Sequence, residues 1–135
     1  MVVLTDGKLY VSGENMHSAH PFSGFYIEYP FKEPKTLGLV STIRPDPPEL
    51  NWIFVDKNTL EVRYGNKTAS IEHFAGPWDW TSGGERVMFD NYEAFCAMEE
   101  SPGKWVLCYD MDDDRLARVR RGRRVLDCYL HRHLI

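Results

Sequence analysis

Trp52-Ile53-Phe54-Val55-Asp56-Lys57-Asn58-Thr59-Leu60-Glu61-Val62-Arg63-Tyr64 places two β-prone runs on either side of a polar turn and specifies a β-hairpin. Aromatic and β-branched side chains suit a pleated surface, and Lys57-Asn58-Thr59 has turn chemistry. The first run is apolar at four successive positions, so both faces of its strand need cover. Outward from this hairpin the same punctuation recurs from Leu9 to Leu130: short apolar runs separated by turn residues, with no stretch of helical length carrying a helical period.

Upstream, Asp6-Gly7 joins Val2 to Leu4 with Lys8 to Val11 in a tight hairpin. Gly13 to Gly24 reads as a loop, and Phe25 to Tyr29 and Thr36 to Ile43 as strands. Pro45, Pro47 and Pro48 then predict a surface connection without regular pairing. Downstream, strands are expected at Ala69 to Phe74, Arg86 to Asp90, Ala94 to Met98, Lys104 to Tyr109 and Arg124 to His131, with a turn at Pro102-Gly103. About ten antiparallel strands with almost no helix predict a single all-β domain over 1–135, arranged as a β-barrel or, alternatively, a β-sandwich. No internal repeat or linker suggests a second domain.

Composition narrows the function classes. The 135 residues suffice for one domain with a substantial core. Cys96, Cys108 and Cys128 each lie within an apolar run, an odd count that predicts buried free thiols rather than disulfides. Met1-Val2-Val3-Leu4 reaches Asp6-Gly7 before any signal-peptide core develops, and no apolar run approaches the roughly 20 residues that span a bilayer, so a soluble cytoplasmic protein is expected. A formal net charge of −4 argues against a globally basic nucleic-acid binder.

The segments Asn51 to Tyr64, Gly76-Pro77-Trp78-Asp79, Glu93-Ala94-Phe95 and Trp105 to Asp114 resemble a group of short uncharacterised all-β proteins of filamentous fungi. That resemblance implies the fold class and no activity. Gly76-Pro77-Trp78 also has the Gly-x-Trp form found at the closed end of lipocalin barrels, although there it belongs to the first strand. Residue chemistry alone reads Trp78 as a core plug after a turn.

Asp110-Met111-Asp112-Asp113-Asp114 spaces carboxylates as calcium loops do, but Arg115 and Arg121 occupy the positions where an EF-hand needs glycine and glutamate. The segment therefore reads as a turn neutralised by its own arginines, Arg115, Arg118, Arg120, Arg121, Arg123 and Arg124. No resident metal or organic cofactor is expected. His17 and His20 lie in the early loop, where they would have to join the terminal histidines to complete a metal site.

The terminal residues suit chemistry near neutral pH. In an extended strand Asp127, Tyr129, His131 and His133 share one face, offering an acid, a phenol and two imidazoles as candidate catalytic groups. Four tryptophans, seven tyrosines and seven phenylalanines exceed what a small core needs. Trp52, Trp78, Trp80 and Trp105, with Arg63 and Tyr64 of the central hairpin, are the candidate ligand-binding residues. Three function classes follow: an intracellular binding protein for a small, partly apolar ligand; a cofactor-independent acid/base enzyme of isomerase, cyclase or lyase type; and a homo-oligomeric interaction module, a homodimer being its simplest form. The first is the principal expectation, with a small molecule as partner and neither nucleic acid nor membrane.

Overall fold

The computed structural model describes residues 1–11 and 19–134, through which run twelve strands and two single-turn helices. In chain order these are β1 (Val2–Thr5), β2 (Lys8–Val11), β3 (His20–Pro21), β4 (Gly24–Tyr29), β5 (Thr36–Pro45), β6 (Pro48–Val55), β7 (Val62–Gly65), α1 (Lys67–Ser70), β8 (Trp78–Trp80), β9 (Val87–Phe89), β10 (Phe95–Ser101), β11 (Lys104–Tyr109), α2 (Ala117–Arg120) and β12 (Val125–Asp127). The chain is all-β, and no described helix is long and apolar enough to cross a membrane.

Local chemistry explains most boundaries. Asp6 and Gly7 both take positive φ, +53° and +80°, which two-residue hairpins require, and Val2 pairs with Val11 across them. The proline-rich segment does pair: Pro45 stands opposite Pro48 at the tip of the long β5–β6 hairpin, where the ladder ends and few backbone donors are needed. The strand expected over Ala69 to Phe74 is instead α1 and a turn. Asn66 Oδ1 accepts the Ala69 N–H at 2.9 Å and caps the helix, leaving Phe74 alone to bridge Val55.

The large sheet follows the order β12-β10-β11-β2-β7-β6-β5-β4, with β1 and β3 attached beside β2, while β8 and β9 form a separate ribbon. Its ends, β4 and β12, are not paired with each other among the described residues, so the sheet is not closed into the expected barrel. Among the described residues three-residue β12 forms a ladder only with β10, and β8 and β9 form one only with each other, with a single bridge from Arg86 to His131 beside them, so no ladder closes the circuit.

Two cores within the one chain explain the strands apolar on both faces at β1, β2, β10 and β11, whereas on β6 Ile53 and Val55 enter the first core and Trp52 and Phe54 are covered by Tyr29, Phe31 and His73. Along β11, Leu107 and Tyr109 enter one cluster with Leu9, Leu39, Ile53, Val55, Trp78 and Phe89. Val106 and Cys108 enter another with Val3, Tyr10, Cys96, Met98, Leu60 and Leu116. Side-chain alternation thus feeds opposite sides of the same strands, and loops around Leu60 and Leu116 cover the second side.

Those two loops share a device. Asp56 Oδ1 accepts the N–H groups of Asn58 and Thr59 at 2.8 and 3.0 Å. The Asp110 carboxylate accepts those of Asp114, Arg115 and Leu116 at 3.2, 2.8 and 3.3 Å. Each turn delivers a fully buried leucine, Leu60 or Leu116, at φ +61°. Left-handed backbone costs a leucine roughly 1–2 kcal/mol, and burying its side chain returns about 1.5–3 kcal/mol, so burial holds the conformation. Leu60→Ala should lower unfolding free energy by about 2–5 kcal/mol. Leu60→Gly should cost no more than Leu60→Ala in denaturant titrations, because glycine escapes the φ penalty; a clearly larger loss for glycine contradicts the account.

Where β2 meets β7, Lys8 Nζ lies 3.1 Å from both Glu61 and Glu100, and the Tyr10 hydroxyl donates to Glu100 at 3.0 Å. Burial opposes ionisation of Glu100, but Lys8, the Tyr10 hydroxyl and Lys104 outweigh it and hold the carboxyl below its ordinary value. Burial likewise opposes Asp56 ionisation, and the Thr59 and Asn58 N–H groups with His73 and Arg63 overcome it. Because both folded values are depressed, the unfolded chain takes up protons first as pH falls. Their contribution is complete above the ordinary carboxyl values of 4.5 and 3.8 and disappears as pH drops through the folded ones. Calorimetry should show Tm falling on acidification below about pH 4.5, with Glu100→Gln weakening that dependence.

Candidate functional site

The first core opens to the surface through a cavity of about 560 Å³. Its floor consists of buried side chains from separate strands: Leu9 of β2, Leu39 of β5, Ile53 of β6, Val62 of β7, Trp78 of β8 and Leu107 of β11. Trp78 is 1 % exposed, donates its indole N–H to the Ile53 carbonyl at 3.0 Å, and meets Phe89 edge-on at 4.8 Å between ring centres. One rim is Phe22, Phe25 and Tyr26 at the start of β4, where Gly24 is required because a Cβ there would run into the Val40 carbonyl. The facing rim is the terminal segment Leu130 to Leu134.

That segment departs from the expected continuous strand. β12 ends at Asp127, and the Cys128 N–H still bonds to Phe95 of β10 at 3.1 Å. The chain then changes neighbours: the Leu130 carbonyl accepts from Val87 at 2.8 Å, and Arg132 N–H donates to Glu85 at 2.6 Å, beside the ribbon. Alternation along a single strand therefore does not carry through to His133.

His131 and His133 line the cavity, whereas Asp127 and Tyr129 are not among its lining residues. Asp127 pairs with Arg115 at 3.3 Å, and Tyr129 is exposed with the Arg86 guanidinium 5.6 Å above its ring. Among the ligand-binding candidates, Trp78 lines the cavity and the others do not. Trp52 packs edge-on against Tyr29 and Phe31, and Trp105 lies under Arg124. Arg63 faces Asp56 and Glu61 at 3.7 Å, and Tyr64 packs beside the first core. Trp80 is 5.1 Å from Tyr26, just outside the lining. Sequence reasoning missed Phe22, Tyr26 and Arg132. In an alternating strand Arg132 would point away from the two histidines, yet all three line the cavity.

The acidic turn is engaged internally: Asp112 pairs with Arg118 at 2.8 Å, Asp114 accepts from Ala117, and Asp110 holds three backbone N–H groups. Arg123 is spent on the Val119 and Arg120 carbonyls. His20 bonds Thr42 at 2.9 Å, while His17 lies outside the described residues. Among the described residues no three metal-ligating side chains converge.

The cysteines are free, and burial pushes the Cys96 thiol up to about 12 and that of Cys128 up to about 11. Cys108 is raised as well, again chiefly by burial. Protonated, apolar-packed thiols are poor nucleophiles. A thiol reagent at neutral pH should label the native protein slowly, reaching half-buried Cys128 before Cys96 or Cys108, and label all three rapidly in denaturant. Fast labelling of all three in the native state would contradict this burial.

No curated protein and no solved structure matches the chain. The family description of a fungal beta-trefoil domain matches residues 1–135, in keeping with the resemblance to fungal all-β proteins, whereas no likeness to lipocalins is found. The chain belongs to the fungal beta-trefoil domain family.

Proposed function

We propose that the protein binds a small, partly apolar molecule in the cavity between the β4 rim and the terminal segment. The observation that carries this reading is the cavity itself, whose volume of about 560 Å³ and apolar floor match small-molecule sites. Such sites combine apolar walls with a few polar groups that orient the ligand, here His131, Arg132 and His133. The floor belongs to rigid strands, so the site needs little ordering on binding.

An acid/base enzyme is the second reading, favoured by two imidazoles in one cavity wall. It would lean on His131 and His133, since Asp127 and Tyr129 lie outside the lining.

The test uses an environment-sensitive apolar dye and the variant Val87→Trp, which adds bulk at the partly buried mouth while leaving the deep core intact. Binding to the unaltered protein and a loss of at least about tenfold in the variant, about 1.4 kcal/mol, at similar Tm, support the reading. Equal dye binding by both proteins overturns it. Tyr129→Phe should leave dye affinity unchanged. If native mass spectrometry reveals a copurifying ligand that the protein transforms, loss of turnover with retained binding in His131→Ala and His133→Ala marks the enzyme.

A further inference from the structure

We propose that the occupant of this cavity is a single-chain amphiphile with one carboxylate, its apolar body on Trp78 and Leu107 and its head on the guanidinium of Arg132. The inference rests on the cavity being a ligand site and goes further by naming the ligand's chemistry.

Three observations carry it. The first is charge. The protein is net acidic at −4, yet the described lining contains Arg132, two histidines and no aspartate or glutamate. A cationic group above an apolar floor, in a lining without acids, selects an anion attached to an apolar body.

The second is the state of Arg132. Arg44, Arg63, Arg86, Arg115, Arg118 and Arg124 each face a carboxylate of the chain; among the described residues Arg120, Arg121 and Arg123 do not, but none of those three lines the cavity. Arg132 forms no ion pair among the described residues. Among the described residues its side chain makes one hydrogen bond, from Nη1 to the Gly84 carbonyl at 3.0 Å. A guanidinium has five N–H donors, so most of its donor capacity remains for a ligand.

The third is preorganisation. The Arg132 guanidinium lies 5.5 Å from the Trp80 ring centre and 5.7 Å from that of Tyr26. The Tyr26 hydroxyl is itself anchored on the Asp79 carbonyl at 3.2 Å. Two aromatic rings and a carbonyl thus hold the planar group at the rim before any ligand arrives, which reduces the ordering cost of binding. One fork suits one carboxylate, whose two oxygens it engages side by side. A dianionic phosphate monoester would call for more fixed positive charge than a single arginine supplies.

The full chain is titrated with decanoate and with 1-decanol, which share a chain and differ in head group, using tryptophan fluorescence and calorimetry. Decanoate should bind at least about tenfold more tightly than decanol. Arg132→Gln should erase that preference without changing decanol affinity, and Arg132→Lys, which keeps the charge but loses the fork, should fall between. Decanol affinity in each variant reports whether the cavity is intact. If both compounds bind the unaltered protein equally, or if Arg132→Gln keeps the preference, the head-group assignment is overturned and the cavity reading survives. If neither compound binds, both are overturned. The head-group comparison on the unaltered protein needs no variant, so it decides the matter even if a substitution prevents folding.

Discussion

The β8–β9 ribbon is joined to the large sheet by no strand ladder among the described residues, and the polar tips of aromatic side chains make the connection instead. The Trp78 indole N–H reaches the Ile53 carbonyl, the Tyr109 hydroxyl donates to the Phe89 carbonyl, and the Tyr26 hydroxyl donates to the Asp79 carbonyl. Each buried ring also removes a large apolar surface from water, for Trp78 on the order of 150–250 Å². At about 25 cal/mol per Å² that is roughly 4–6 kcal/mol, against about 1 kcal/mol net for its hydrogen bond. Apolar burial therefore dominates the attachment, and the hydrogen bonds fix its register.

This mode of attachment creates the cavity. A ribbon paired directly to the sheet would bring backbones to ladder spacing, about 4.8 Å. Docked through side chains, it stands farther off, and the space above Leu9, Leu39, Ile53 and Leu107 stays open on one side. The terminal segment then lies along the ribbon and supplies the polar wall. On the second core the Asp56 and Asp110 turns lay the buried Leu60 and Leu116 over the strands instead. Cys96 and Cys108 face that covered side, and burial there raises both thiols above the ordinary cysteine value.

Charge is distributed on the same plan. In the segment from Asp110 to Asp127, Arg115 and Arg118 pair with Asp127 and Asp112, Arg124 faces Glu99 and the Arg123 guanidinium is tied to backbone carbonyls, so much of the richest cationic run in the sequence is engaged within the fold. Lys8, Arg63 and their carboxylates do likewise at the β2–β7 junction. Arg132, in a less conspicuous part of the chain, lines the cavity and forms no ion pair among the described residues.

Features that depend on neighbouring residues were legible in the chain alone. Asp6-Gly7, Lys57-Asn58-Thr59 and Pro102-Gly103 set hairpins because turn geometry is a local property, and apolar runs between them set strands. The errors of that reading were also local: Asn66 capped a helical turn where Ala69 to Phe74 looked extended, and Pro45 and Pro48 paired at a hairpin tip. Long-range packing settled the rest: strands apolar on both faces serve two cores, the sheet remains open, and the terminal segment leaves β10 for the ribbon. The last of these separated Asp127 and Tyr129 from His131 and His133, which line the cavity together with Arg132. Alternation predicts which face a side chain takes on one partner; it carries no information about where the chain exchanges that partner for another.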